Sequence, residues 1–184
     1  MAALRTFRPI YLTRLLLIAA GAIAMPAKIA AAPVPLEYAV KASYIYKFAP
    51  FVTWPPDVLA AGSPFTICLA GDNGFGPMLE QIVRGQAIDG HTITIKRLGS
   101  SAVLSPCQIL FVGRASQAAS LLHAAAGRPI LTVTDHDRGP GGGIIDFNLK
   151  NGRVRFTIDA AAARESGLQI SSKLLGLAMS VNGR

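Results

Sequence analysis

The sequence predicts an α/β fold: a single domain with a mostly parallel sheet flanked by helices, ending in a C-terminal antiparallel hairpin. Short, wholly apolar segments alternate with helical segments, which is typical of parallel strands buried on both faces. Near the C-terminus, Asn151-Gly152 separates two strand-like segments and favours a tight hairpin turn, because both central residues of that turn need a positive φ. The chain has 184 residues, a length that suits one domain with a substantial core.

The N-terminus has the segment order of a cleavable secretory signal peptide. Three arginines, Arg5, Arg8 and Arg14, precede an apolar run over residues 15–24, and a small-residue stretch follows at 27–32. The apolar run is much shorter than the roughly 20 residues of a membrane-spanning helix. We therefore predict a signal peptide over residues 1–31, cleaved between residues 24 and 32, and an exported domain over 34–184.

Export would remove the leader and with it part of the net positive charge. The whole chain carries 18 Lys and Arg against 10 Asp and Glu, a formal net charge of +8. The predicted leader contains Lys28 and the three arginines but no acidic residue, so half of that net charge belongs to the leader. A nucleic-acid-binding function loses its main support. We expect a periplasmic protein without a nucleic-acid partner.

The two cysteines, Cys68 and Cys107, are expected to mature in an oxidising compartment, where cysteines usually pair. Each lies in an apolar strand-like segment, and neighbouring strands could bring the two Cα atoms within the roughly 6 Å that a disulfide requires. We favour a structural disulfide; two buried free thiols and a redox switch are the alternatives. No second pair of cysteines exists to complete a zinc site.

The first predicted element of the exported domain is an amphipathic helix over residues 35–51. Pro35 suits its first turn, and Pro55-Pro56 stops the segment. Lys41 and Lys47 are expected on its solvated face. The apolar side chains recur every three or four residues, at Leu36, Val40, Tyr44, Phe48 and Phe51.

Strands and helices then alternate. Strands are predicted from their apolar or alternating character at residues 65–70, 91–98, 107–112 and 130–134. Helices are predicted at 77–84 and at 116–126, with Ser116 as the N-cap of the second. The C-terminal third departs from this alternation, because residues 144–149 and 154–158 flank the hairpin turn.

After the hairpin, Asp159 is expected to cap a short helix that runs to about Arg164. Residues 168–170 are expected to be extended. Ser171 or Ser172 can then cap a last helix that runs through Met179.

Two loops after predicted strands are candidate ligand sites. A glycine-rich loop at residues 71–76 could present backbone N–H groups to an anion, but it matches no nucleotide-binding motif, and we favour a turn with a helix cap. An Asp-His-Asp run at 135–137 could assist metal binding, but we favour a solvated loop. A pocket between the two loops would be lined by Gly71, Asp72, Asn73, Gly74, Asp135 and His136.

No motif in the chain assembles a catalytic site. Neither a GxSxG elbow nor an HExxH zinc helix is present, and no nucleophile, base and orienting group occur in a recognisable arrangement. We predict that the protein is not an enzyme and that it holds no cofactor or metal.

An aromatic cluster at the end of the first helix, Phe48, Phe51 and Trp54, has two interpretations. We favour a cap on the core; the alternative is an anchor for a protein partner. In the hairpin, Arg153 and Arg155 alternate with apolar residues, so one face of the strand should be buried while the arginines stay available to a carboxylate-bearing partner.

An ordered set of segments resembles a known family. The set comprises residues 41–48 (KASYIYKF) with Phe51 and Trp54-Pro55, and residues 67–72, 107–112, 130–135, 142–145, 154–158 and 167–175. In this order the segments resemble the YfiR family of periplasmic proteins, over nearly all of residues 38–179. Cys68 and Cys107 match one disulfide of that family, and the second pair of its best-known members is absent here.

The resemblance implies a small periplasmic α/β protein, often a homodimer, that restrains an inner-membrane diguanylate cyclase of the YfiN type through its periplasmic domain. An outer-membrane lipoprotein would relieve the restraint, and the output would be cyclic di-GMP and biofilm formation. The alternative is a small-molecule binding module that feeds a sensor kinase or a transporter. The partner contacts are predicted at Phe48, Phe51, Trp54, Arg155, Phe156, Leu168, Ile170, Lys173 and Leu174.

Overall fold

The computed structural model of the chain describes residues 35–99, 104 and 106–183, so the predicted leader lies outside the described residues. The strands are β1 (Val52–Thr53), β2 (Phe65–Ala70), β3 (Ala87–Ile88), β4 (His91–Leu98), β5 (Ile109–Val112), β6 (Leu131–Asp135), β7 (Ile145–Lys150), β8 (Arg153–Asp159), β9 (Gln169–Ile170) and β10 (Val181–Asn182). The helices are α1 (Leu36–Phe48), α2 (Met78–Val83), α3 (Ala118–Ala125), α4 (Ala160–Glu165) and α5 (Ser172–Leu177), and a 3₁₀ turn at Ala49–Phe51 continues α1.

Eight of the described strands form one sheet, in the spatial order β10-β8-β7-β6-β5-β2-β4-β3. From β4 through β2, β5 and β6 to β7, neighbouring strands are parallel. Strand β8 is antiparallel to β7, and β3 is antiparallel to β4. The α/β fold with a mostly parallel sheet and a C-terminal antiparallel hairpin is confirmed.

The chain changes its direction of progress across the sheet at β2. From β2 it passes through α2 to β4 on one side, then returns to β5 on the other side of β2 and continues to β6 and β7. At such a reversal the loops after the two neighbouring strands leave a crevice outside the carboxyl ends of the strands. In this sheet the crevice lies between the loops that follow β2 and β5.

Both faces of the central strands are buried, as their uniformly apolar sequences predict. In β2, Phe65, Ile67 and Leu69 belong to a large core shared with α1, α2, α4 and α5. Cys68 and Ala70 belong to a smaller core shared with α3. The division follows from the strand period of two, which sends alternate side chains to opposite faces.

A disulfide joins Cys68 in β2 to Cys107 just before β5, with the two Cα atoms 5.8 Å apart. Both cysteines lie in the smaller core and are buried. The bridge therefore fastens the middle of β2 to the chain just before β5, and β2 and β5 are the two strands that border the crevice. Of the three alternatives left by the sequence, free thiols are excluded in this structure.

Three local signals in the C-terminal third are confirmed. Asn151 and Gly152 have φ values of 51° and 70°, as a tight hairpin turn between β7 and β8 requires. The Asp159 carboxylate accepts a hydrogen bond from the N–H of Ala162 at 2.9 Å and caps α4. The Ser171 hydroxyl accepts one from the N–H of Leu174 at 3.4 Å and caps α5.

Two expectations are wrong. Ser116 does not cap α3: Gln117 precedes that helix, and the Ser116 hydroxyl bonds to the Gln117 side chain at 3.0 Å instead of to a backbone N–H. The expected solvated face of α1 is wrong at Lys41, which is fully buried while the apolar Leu36 is 79% exposed; Lys47 is exposed as expected. Lys41 contacts a carboxylate at the end of β6 instead of solvent.

Removing the disulfide tests its role as a staple. The Cys68→Ala/Cys107→Ala variant should lose about 4 kcal/mol of unfolding free energy, because the bridge restricts the unfolded chain across a separation of 39 residues. Urea denaturation measures the loss. Wild-type protein under reducing conditions is the control and should lose a similar amount; a loss below about 1 kcal/mol in both would contradict a stabilising role.

Candidate functional site

A buried lysine connects α1 to the carboxyl end of the sheet. The Lys41 side chain is fully buried, and its ammonium lies 2.5 Å from Glu37 Oε1, one helical turn earlier. It lies equally close to Asp135 Oδ2, at the end of β6. A buried cation is tolerated when carboxylates pair with it, since an isolated one carries a desolvation cost of several kcal/mol.

An arginine extends this cluster to the surface. The Arg138 guanidinium donates two hydrogen bonds of 2.9 Å to the Glu37 carboxylate, one to each oxygen. Both Lys41 and Arg138 lie 5.7 Å from the centre of the Tyr38 ring. Two cations and two carboxylates thus form a neutral network between α1 and the loop after β6, which we call the Lys41 network.

The network shifts the pKa values of Glu37 and Arg138. Hydrogen bonding from Arg138, assisted by Lys41, holds the pKa of Glu37 below its ordinary value of 4.5, although partial burial of this carboxyl acts in the opposite direction. The Glu37 carboxylate in turn raises the pKa of Arg138. Glu37 is therefore ionised over the whole neutral range.

Beside the network, a cavity of about 150 Å³ opens in the crevice between the loops after β2 and β5. Three of the six residues predicted for a ligand pocket, Asp72, Asn73 and Asp135, line it. Tyr38, Arg114 and Arg138 also line the cavity.

The remaining predicted pocket residues have other positions. Gly71 and Gly74 shape the loop after β2, both with positive φ. A Cβ on Gly74 would lie 2.4 Å from the Tyr38 ring, so only glycine lets the helix and the loop approach so closely. The His136 side chain is 66% exposed and lies 3.5 Å from an Asp146 carboxylate oxygen.

The two segments that carry the predicted partner contacts, the aromatic end of the first helix and the C-terminal segment, lie against each other. Strands β1 and β9 pair antiparallel, with Val52 opposite Ile170, so the aromatic end of the first helix lies against the C-terminal segment. The N–H of Ser171 also donates to the carbonyl of Phe51 at 2.9 Å. Phe51, Trp54, Ile170 and Lys173 keep exposed or partly exposed surface here.

Four predicted contact residues belong to the core instead of the surface. Phe48 packs against the rings of Tyr44, Phe147 and Phe156, with ring centroids 5.2 to 5.8 Å from its own. Trp54 packs edge-on against Phe65 at 5.2 Å, which supports its interpretation as a core cap. The buried members of the predicted set are Phe48, Phe156, Leu168 and Leu174.

The hairpin presents a concentrated positive charge. Lys150, Arg153 and Arg155 line a broad hollow of about 640 Å³ together with Asn151 and Met179. All three cations are exposed, and none forms an ion pair or side-chain hydrogen bond within the described part of the chain. We call these three residues the basic surface. Phe156, which follows Arg155, is buried, as the alternating pattern of the strand predicts.

The sequence reasoning missed the Lys41 network. Glu37 and Lys41 have the i,i+4 spacing of a helical ion pair, and Asp135 directly follows a buried apolar strand. The sequence therefore contains both the helical spacing and the strand-end carboxylate, but each of these patterns is also common on solvated surfaces. The burial of Lys41 depends on contact with a residue 94 positions away, which spacing alone does not reveal.

The described residues contain neither a membrane-spanning helix nor a cluster of metal ligands. No helix among them has the length and apolar character needed to cross a membrane. Nor do three or more histidine, cysteine, aspartate or glutamate side chains gather there in a way that could hold a metal ion.

The sheet order, the buried strands and the single disulfide define a small disulfide-bridged α/β domain of the open-sheet class. A family profile described as YfiR/HmsC-like matches residues 38–179, which is most of the chain, and the protein belongs to that family. No functionally curated protein matches the chain.

Removing the buried cation tests the Lys41 network. Lys41→Met should lower the free energy of unfolding by about 3–5 kcal/mol, because Asp135 would keep a buried and unpaired charge. Urea denaturation measures the loss. Lys47→Met, on the exposed side of the same helix, is the matched control and should change stability by less than about 0.5 kcal/mol. Equal effects of the two substitutions would contradict the network.

Acid titration tests the Glu37–Arg138 pair. Because the pKa of Glu37 is lowered in the folded state, its stabilising contribution is present above the unfolded value and is lost as the pH falls through the folded value. Glu37→Gln should therefore flatten the decline of unfolding free energy below about pH 4.5. Glu165→Gln, at an exposed position, should retain the wild-type slope. A wild-type slope in Glu37→Gln would contradict this assignment.

Proposed function

We propose that this protein is a periplasmic, non-enzymatic regulator that binds and restrains a membrane-bound signalling protein, a diguanylate cyclase, and thereby lowers cyclic di-GMP and biofilm formation. The observation that carries the proposal is the match to the YfiR/HmsC-like family over residues 38–179. An exported chain would meet the periplasmic domain of such a cyclase, while the nucleotide chemistry takes place on the partner across the membrane.

The basic surface supports a contact with an acidic region of the partner. Its three cations pair with no carboxylate of the described residues and remain available, and guanidinium groups bind carboxylates through paired hydrogen bonds. Charges at such a surface mainly set the rate and specificity of association. The surface around β1 and β9 would supply the apolar part of the contact, from Phe51, Trp54 and Ile170.

Restraint requires a preference between two states of the partner. A regulator that binds the active and inactive conformations equally well shifts nothing, however tight the complex. The protein therefore has to bind the inactive periplasmic conformation more tightly. We propose that it acts as a homodimer and that an outer-membrane lipoprotein relieves the restraint by sequestering it, which lowers its free concentration.

Complementation in cells tests the proposal. Deletion of the gene should raise cyclic di-GMP, and the wild-type gene should restore the lower level. Arg153→Glu/Arg155→Glu should fail to restore it, because charge reversal should weaken partner binding by at least about tenfold.

The matched control reverses two exposed cations elsewhere. Lys47→Glu/Arg84→Glu makes the same change in net charge outside the basic surface and should complement normally. Immunoblots of periplasmic fractions establish that both variants accumulate. An unchanged level of cyclic di-GMP after deletion, in conditions that induce biofilm, would overturn the cyclase-regulator proposal.

A further inference from the structure

One edge of the sheet is open along most of β4. Strand β3 pairs only with His91 and Thr92 of β4. No other described strand lies on that side, so residues 93–98 pair with β2 alone. Backbone N–H and C=O groups alternate between the two sides of a strand, so about half of these residues direct theirs away from the sheet. An edge of this kind can accept a further strand from another chain.

An apolar groove of about 460 Å³ runs beside this open edge, and we call it the β4 groove. Ile93 and Ile95 form one wall, and Val83 of α2 contributes to the other. Both isoleucines keep partly exposed surface. Successive side chains of a strand point to opposite faces, so an added strand would direct every second side chain into the groove. Backbone pairing with such a pocket beside it is the general mode of strand addition.

The charges at the β4 groove sum to one net positive charge. Glu80 and Arg84 are the charged residues among those that line it. The Glu80 carboxylate accepts hydrogen bonds from the Arg97 guanidinium at 3.0 and 2.7 Å. The exposed Arg84 side chain forms no ion pair or hydrogen bond to any described residue. An acidic side chain on the added strand would therefore balance Arg84.

Neither β4 of a second copy nor the segments outside the described residues contain that acidic side chain. A second copy would bring Lys96 and Arg97 to the same edge, since its β4 has two cations and no acidic residue, and like charges would face each other. The segments outside the described residues contain no Asp or Glu. The occupant that fits is an acidic segment of another protein.

We propose that the β4 groove binds an extended segment of a second protein partner. The segment adds to the sheet as a strand beside residues 93–98, places an apolar side chain against Ile93 and Ile95, and pairs an acidic side chain with Arg84. This site goes beyond the proposed function, since it lies at the opposite end of the sheet from the hairpin that carries the basic surface. It serves a partner other than the cyclase, so changes at Arg84 should leave the restraint of the cyclase intact.

Calorimetric titration of the purified protein with short peptides tests the ligand chemistry. The probe is the end-blocked hexapeptide Glu-Thr-Val-Thr-Ile-Thr, whose glutamate and two apolar side chains share one face of a strand. A matched peptide has lysine in place of the glutamate. The acidic peptide should bind with a Kd below about 1 mM and at least about fivefold more tightly than the lysine peptide. Absence of binding at that concentration, or equal affinity of the two peptides, would overturn the proposal.

Backbone methylation tests the strand geometry. One version of the acidic peptide carries N-methyl groups on its valine and isoleucine, and the other carries them on its threonines. Alternate N–H groups of a strand point to the same side, so only one version loses the hydrogen bonds to β4. That version should bind at least about tenfold more weakly than the other. Equal affinities of the two versions would show that the peptide does not pair as a strand.

A variant pair tests the location. Arg84→Glu should weaken binding of the acidic peptide by at least about fivefold and should strengthen binding of the lysine peptide. Lys47→Glu, at an exposed position on α1, makes the same charge change and should bind both peptides as the wild type does. Thermal unfolding checks that both variants remain folded. Equal affinities of the two variants for the acidic peptide would overturn the assignment.

The basic surface is the other place where an acidic peptide could bind. Arg153→Glu/Arg155→Glu should leave the affinity for the acidic peptide unchanged, because these residues lie on the far side of the sheet. Loss of peptide binding in this variant would place the peptide on the basic surface and overturn the strand-addition site. That outcome would leave the cyclase proposal standing, because complementation in cells tests it separately.

Discussion

The ammonium of Lys41, shared by Glu37 and Asp135, is the interaction on which the positions of α1 and the carboxyl edge of the sheet both depend. The lysine is fully buried, and its ammonium lies 2.5 Å from a carboxylate oxygen of each partner. Asp135 is 94 positions away from Lys41 in the chain. Removing either partner of a buried pair leaves an uncompensated charge, which is far more costly than the pair is stabilising. Helix α1 can therefore neither rotate nor slide without disrupting the loop that follows β6.

From that anchored helix, contacts extend to two distant parts of the domain. Near its N-terminal end, Tyr38 rests on Gly74 and forms one wall of the cavity. At its C-terminal end, Phe48 joins the aromatic core, and the chain continues into β1, which pairs with β9. Thirteen helical residues span about 20 Å, so one rigid element connects the switch-point cavity to the region proposed to meet a partner.

Features with local causes could be predicted from the sequence, and features with distant causes could not. The turn at Asn151-Gly152 and the caps at Asp159 and Ser171 arise from a residue's own conformational preference or from a hydrogen bond three residues away. The apolar strands likewise revealed the covered sheet. Two-residue strands such as β1 and β9 are too short to show a period. The burial of Lys41 also required knowledge of which strand end faces α1, which only the topology supplies.

The same rigidity limits how the proposed regulator could act. Moving a partner from 1% to 99% inactive requires about 5.5 kcal/mol of preferential binding to the inactive state. Three cations of the basic surface, each forming a charged hydrogen bond worth about 1.5–3 kcal/mol, would together supply about 4.5–9 kcal/mol, so most of that energy has to be specific to one state. A scaffold fixed by the disulfide and the Lys41 network loses little of this energy to its own ordering on binding. The conformational change therefore has to occur in the partner, and the state in which its carboxylates match the spacing of Lys150, Arg153 and Arg155 is the state that this protein would stabilise.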